Sequence, residues 1–162
     1  MSTTANQHRW LFRVIAVNKP GAMTSIASAF SNRGISIDSI VAHGSEETPD
    51  DSGTVVITFR CSADDKEKVR REIERLSKVI RVEEHVYLQD YLRKGAVLLV
   101  KPDPEAFRMV ESSQNLNWDL IQDESIGRTY FVAGAPNQVD PLIESLLAAD
   151  LILDVVYAII TI

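Results

Sequence analysis

Apolar positions along the chain switch between a period of two and a period near 3.6, and the switches outline its elements. Residues 9–17, RWLFRVIAV, are rich in β-branched and aromatic side chains and run into the turn signal Asn18-Lys19-Pro20-Gly21, so they predict a first strand. Beyond the turn Met23, Ile26, Ala27 and Phe30 recur at i, i+3, i+4 and i+7, and Gly34 follows where a helix stops, predicting a helix of about three turns. Residues 35–43 and 54–61 predict two strands. The segment Gly44–Gly53 between them holds four acids, a proline and two glycines, the composition of a hairpin loop. Asp64 and Asp65 are placed to cap a second helix with Val69, Ile73 and Leu76 inward. Glu67/Arg71, Lys68/Glu72 and Arg70/Glu74 are spaced to pair on its solvated face. Residues 79–88, VIRVEEHVYL, predict a fourth strand and complete a β-α-β-β-α-β order, the ferredoxin-like arrangement.

The second half repeats that order: a strand Ala96–Val100, a helix capped by Asp103 with Pro104 at its first position and running through Phe107 and Val110, and a strand Trp118–Gln122. The turn Ser125-Ile126-Gly127, a strand Arg128–Ala133, a helix with Leu142, Ile143, Leu146 and Leu147 inward, and a strand near Leu153–Ile160 follow. The predicted fold class is therefore α+β: two tandem ferredoxin-like βαββαβ units, antiparallel sheets with helices on one face, as domains 1–90 and 91–162 joined by a short link near Asp90–Gly95. Two such units account for the length, because each alone is near the lower limit for a stable core.

Charge narrows the choice of partner. Seventeen basic against 23 acidic side chains leave a net charge of −6, which argues against a nucleic-acid groove or a polybasic membrane patch. Residues 1–93 carry 13 of each sign, so the whole excess, 4 basic against 10 acidic, lies in residues 94–162. Cys61 is the one cysteine and excludes an intramolecular disulfide, while His8, His43 and His85 lack metal-type spacing. The N-terminus has no apolar leader core, and the longest apolar stretch, Leu151–Ile162, is broken by Asp154 and falls short of the roughly 20 residues of a membrane span. A cytoplasmic protein is expected.

No nucleophile, carboxylate pair, metal or nucleotide motif stands at a recognisable spacing, so an enzyme is the minority reading. Cys61 is in phase with Val55, Ile57 and Phe59 and reads as a small core residue; His43 and His85 read as surface or edge residues, Trp10 and Trp118 as packing residues. The segment Asn18–Ala22 is different. A helix start exposes amides without intrahelical acceptors and the positive end of a dipole, which favour a carboxylate or phosphate. Gly21 permits close backbone approach, Asn18 offers both a donor and an acceptor, and Pro20 stiffens the loop. The competing reading is a tight βα turn and nothing more.

Residues 17–40, VNKPGAMTSIASAFSNRGISIDSI, resemble the signature of ACT domains, small ligand-sensing modules of βαββαβ fold, and specifically that of the regulatory (small) subunits of acetolactate synthase. The specific match covers mainly residues 9–90, while length and layout agree throughout. The resemblance implies an N-terminal ACT domain, a C-terminal ferredoxin-like regulatory-subunit domain, and a homodimer whose ACT domains share one continuous sheet. It also implies a small amino-acid effector such as valine, held between the first βα loop of one protomer and the second strand of the other. Carried over by position, it points to Asn18, Gly21, Ala22 and Met23 on the loop and to Ser36 and Ile37 at the start of the second strand. The implied partner is the acetolactate synthase catalytic (large) subunit of branched-chain amino-acid biosynthesis. Thiamine diphosphate would belong to that partner, with no cofactor or metal in this chain, nucleic acid or membrane involved.

Three departures accompany the resemblance. Ser36 replaces the family's usual asparagine and has a shorter reach with a single rotating hydroxyl. Gly53 stands near where an arginine is common, and the Gly44–Gly53 loop is longer and more acidic than usual. The second half keeps the strand Leu98–Lys101 but lacks the family's serine- and glycine-containing end. The alternative reading is a stand-alone ACT-type amino-acid-binding or structural protein without a synthase partner.

Overall fold

The computed structural model describes residues 7–44, 51–87 and 91–160. The chain divides into two compact units, Met1–Tyr87 and Leu88–Ile162. In the first, β1 (His8–Val17), α1 (Ala22–Ser31), β2 (Ile37–Gly44), β3 (Ser52–Cys61), α2 (Ala63–Glu74) and β4 (Val79–Val86) build an antiparallel sheet of order β2-β3-β1-β4. Alternation along β1 and β3 turns Phe12, Val14 and Ala16 and Val55, Ile57, Phe59 and Cys61 to one side. There they meet Ile26, Ala29 and Phe30 of α1 and Val69 and Ile73 of α2. Phe59 anchors this core, edge-on to Phe12 at 4.8 Å and to Phe30 at 4.9 Å between ring centroids.

Some local expectations need correction. The cap of α2 is Ser62, whose hydroxyl accepts from the Asp65 amide at 3.1 Å; Asp64 and Asp65 lie inside the first turn, where they face the positive end of the dipole. Glu67/Arg71 and Arg70/Glu74 pair as spaced, but Glu72 pairs with Arg33 of the α1–β2 turn at 2.7 Å and Lys68 reaches back to Asp64 and Asp65. A neighbouring element supplied a better partner than the helix itself. In α1 Met23 is exposed and the inward stripe is Ile26, Ala29 and Phe30. Cys61 is buried as a core residue, and burial pushes its thiol up to about 11. The Gly44–Gly53 hairpin loop lies largely outside the described residues.

The second unit repeats the plan with β5 (Arg93–Val100), α3 (Pro104–Glu111), β6 (Asn117–Glu124), β7 (Gly127–Gly134), α4 (Pro136–Ala148) and β8 (Ile152–Ile160), in the order β6-β7-β5-β8. Its core joins Ala96, Leu98, Val100, Tyr130 and Val132 to Ala106 and Val110 of α3 and Val139, Leu142, Ile143 and Leu146 of α4. Asp103 caps α3 as the sequence predicts, accepting from the Glu105 amide at 2.7 Å, with Pro104 beside it. Leu147, read as inward, is 54% exposed, because the α4 stripe is already filled by its three neighbours. Gly95, read as linker, lies inside β5, where a side chain would meet the Phe131 ring at 3.3 Å.

Lys94 points to the core side of the second sheet with its side chain only 3% exposed. Its ammonium donates to Asp140 at 2.5 Å and lies 3.7 Å from the centroid of the Tyr157 ring, which together replace the water it has lost. No helix among the described residues is long and apolar enough to cross a membrane, and none of their His, Cys, Asp and Glu side chains cluster as metal ligands.

Candidate functional site

The β1–α1 junction is held from two sides. The Val17 amide donates to the Lys78 carbonyl at 2.8 Å, and the Lys78 ammonium donates back to the Pro20 carbonyl at 2.7 Å. On the other side the Asn18 amide donates to the Asp51 carbonyl at 2.8 Å. Gly21 then takes φ 84°, a left-handed conformation that costs an L side chain about 1–2 kcal/mol, and starts α1 with no side-chain cap. Its carbonyl accepts from both the Ser25 amide and the Ser25 hydroxyl, at 3.0 and 2.9 Å. The junction is therefore pre-formed: the Ala22 amide donates to the Lys19 carbonyl at 3.2 Å, and the Met23 and Thr24 amides are left for an external acceptor.

A cavity of about 370 Å³ opens against this junction. Asn18, Gly21, Ala22 and Met23 line it together with His43 and Gly44 at the end of β2. Gly44 has a spatial role, since a Cβ there would come within 2.9 Å of the side-chain Nδ2 of Asn18. Among the described lining residues Lys19 is the permanent cation and no carboxylate is present. The amides at the start of α1 and Lys19 thus bias the cavity toward an anion, and its apolar lining, Ala16, Ala22, Met23, Ala42 and Val55, suits a short aliphatic group.

Four of the six residues singled out from sequence, Asn18, Gly21, Ala22 and Met23, share this cavity. Ser36 and Ile37 do not reach it within one copy. Ile37 pairs with Phe59 at one end of β2, while Gly44 pairs with Gly53 at the other, seven strand steps or about 23 Å away. His43 and Lys78 were missed. His43 was read as an edge residue, which it is, but the edge it occupies is the cavity wall. Lys78 carries no sequence signal, because its partner is a backbone carbonyl 58 residues away.

The first unit has the βαββαβ order of an ACT domain, and residues 12–81 match the family described as the AHAS small subunit-like ACT domain. The similarity extends beyond it. The acetolactate synthase small subunit of Mycolicibacterium smegmatis is 25% identical over 134 residues, covering 82% of this chain and 78% of the relative. The crystal structure of the acetolactate synthase small subunit from Thermotoga maritima superimposes with a TM-score of 0.71 at 26% identity, covering 94% of this chain and 95% of the other. This chain resembles acetolactate synthase small subunits across both of its units, which supports a regulatory role.

Proposed function

We propose that this chain is a non-catalytic regulatory subunit that binds a small, valine-like amino acid at an ACT dimer interface. There it modulates an acetolactate synthase catalytic subunit in branched-chain amino-acid biosynthesis. The observation that carries this reading is the pre-formed cavity at Gly21, with no carboxylate among its described lining residues, inside the segment that matches the AHAS-type ACT family. A carboxylate would take the first-turn amides, Asn18 an ammonium or carboxylate, and the apolar wall a short side chain. β2 is an edge strand, and its outer edge supports the dimer: antiparallel pairing of two β2 strands about a twofold sets Ile37 of one copy near Gly44 of the other. Ser36 and Ile37 would then complete the cavity of the neighbouring protomer, which one copy alone leaves unfinished.

Regulation requires that the effector bind one protomer arrangement better than another, since only that difference shifts the partner's activity. A metabolite sensor works at Kd from about mM to μM, or about −4 to −8 kcal/mol, within reach of one carboxylate site and one small apolar pocket. Thermal-shift titration with the standard amino acids tests the site, because a true ligand raises Tm with concentration. Gly21→Asp is expected to abolish that shift while the fold persists, since it adds a negative charge next to the anion-favouring helix start and its Cβ, 3.1 Å from the Lys78 ammonium, disturbs the bond from Lys78 to Pro20. An unchanged Kd in that variant removes the loop from the site. Ser36→Asn is expected to tighten valine binding, as read by calorimetry; no gain would mean the shorter hydroxyl is compensated elsewhere. Addition of the chain to the catalytic subunit, with and without effector, tests the partner: unaltered synthase activity in both states overturns it.

A further inference from the structure

Strand register sets a row without side chains beside the Gly21 loop. Ala16 pairs with Gly53 and Gly53 with Gly44, so β1, β3 and β2 meet at one level with nothing larger than a methyl. Ala16 belongs to the core under α1 and α2, so this row faces the helix side of the sheet. The Asn18 side chain lies over its Gly44 end. A Cβ on Gly44 would come 2.9 Å from Nδ2 of Asn18 and 3.3 Å from both Cγ and Oδ1, so the whole carboxamide rests against the bare backbone of β2. The main chain of Asn18 is fixed separately, its amide donating to the Asp51 carbonyl at 2.8 Å. The carboxamide itself lines the cavity and makes no hydrogen bond among the described residues. It is positioned from two sides and left for a ligand.

The backbone does not demand a glycine at position 44. Gly44 is not among the glycines of positive φ, and the three atoms nearest a Cβ there all belong to the Asn18 side chain. By contrast, a Cβ on Gly53 would meet the His43 carbonyl oxygen, a backbone atom, at 3.0 Å. What a side chain at position 44 would displace is the Asn18 carboxamide. An effector whose carboxylate takes the Met23 and Thr24 amides keeps its α-ammonium, one carbon away, in the same cavity. No carboxylate among the described lining residues competes for that ammonium, and Oδ1 of Asn18 is a side-chain acceptor the protein leaves free. We infer that Gly44 is a positioning residue: its missing side chain seats the Asn18 carboxamide so that Oδ1 accepts from the effector's α-ammonium, and the site thereby selects an α-amino acid over the α-keto acid of the same carbon skeleton. The inference rests on the effector reading of this cavity, in which Asn18 takes either charged end, and assigns it the ammonium. A keto oxygen carries no charge and no proton. A carboxamide turned to donate to it makes a neutral bond, about half as strong as the charge-assisted one.

Calorimetry on the full chain tests the inference with two matched pairs, L-valine with 3-methyl-2-oxobutanoate and L-leucine with 4-methyl-2-oxopentanoate. Each is titrated into wild type, Gly44→Ala, Asn18→Ala and the double variant. In wild type the better-bound amino acid is expected to bind at least about tenfold tighter than its keto acid. Gly44→Ala is expected to erase most of that ratio, weakening the amino acid about tenfold and the keto acid by no more than about twofold. Its Tm is expected to stay unchanged, because the added methyl displaces only the far end of a flexible side chain. The double variant is expected to match Asn18→Ala within about twofold, as it must if one residue acts through the other. Nuclear magnetic resonance of wild type gives a reading independent of how Gly44→Ala folds. The Asn18 side-chain amide protons, assigned by their absence in Asn18→Ala, are expected to shift further with saturating amino acid than with saturating keto acid. A wild-type ratio near one, a ratio preserved in Gly44→Ala, additive losses in the double variant, or equal shifts with both ligands overturns the inference while the effector reading stands. If neither amino acid binds wild type, the effector reading fails and the inference with it.

Discussion

At the scale of single residues, Lys78 has the most leverage on the candidate site although it does not line the cavity. Its carbonyl and its ammonium clasp the two ends of the segment Val17–Pro20 from the α2–β4 turn. Lys78→Met keeps the aliphatic stem and the backbone bond but removes the donor to Pro20. The expected outcome is faster amide exchange in residues 18–24 of the free protein and about tenfold weaker effector binding, with Lys78→Arg restoring much of both, since net hydrogen bonds to charged groups are worth about 1.5–3 kcal/mol. Exchange rates identical to wild type would make Lys78 incidental to the loop. Asn18 and Gly21 were legible in the sequence because a turn leaves a local signature; Lys78 and His43 were not, because their roles depend on contacts made across the sheet and its turns.

At the scale of elements, the strands and helices follow from periodicity, and the differences come from neighbours. Arg33 drew Glu72 away from Lys68, and the Phe131 ring made a place for Gly95 inside β5. The β6–β7 turn is the tightest junction of the second unit. Gly127 has φ 154°, and a Cβ there would lie 2.0 Å from the Val100 carbonyl oxygen, a backbone atom that cannot swing aside. Gly127→Ala is therefore expected to cost the second unit more than about 3 kcal/mol, read as loss of its urea transition or a fall in its midpoint, while the first unit keeps its own. A variant as stable as wild type would show that β6 and β7 can part at little cost. The sequence marked Ser125-Ile126-Gly127 as a turn but held no sign of the carbonyl that crosses above it.

At the scale of the whole molecule, the two units carry different electrostatics. The first is an ion-pair lattice: Arg70, then Arg71, hold the Glu67 carboxyl down at about 2, the Ser62 hydroxyl and Lys68 lower Asp65, and Arg13 lowers Glu83. Carboxylates whose folded values are depressed favour the folded state above their unfolded values near 4, and that contribution is lost as pH falls toward 2. The thermal transition of the first unit is expected to fall more than that of the second between about pH 5 and pH 2.5, and less so in high salt, because these groups are exposed and screened. Calorimetry showing equal losses in the two units would mean that the lattice contributes little. At the alkaline end the raised Cys61 thiol favours the folded state below about 9, a contribution that disappears as pH rises through 11.

What the residues determined by themselves is local: the period of each element, the doubling of the βαββαβ order, the caps and turns, and the glycine that opens the first helix. Each depends on side chains within a few positions of one another, so its signal survives in a linear string. Tertiary structure decided which end of β2 faces the Gly21 loop, which lysine braces that loop, and how Lys94 is satisfied in the second core. Those outcomes depend on strand register and on contacts between residues tens of positions apart, where burial and charge pairing are settled by the packed sheet rather than by sequence neighbours.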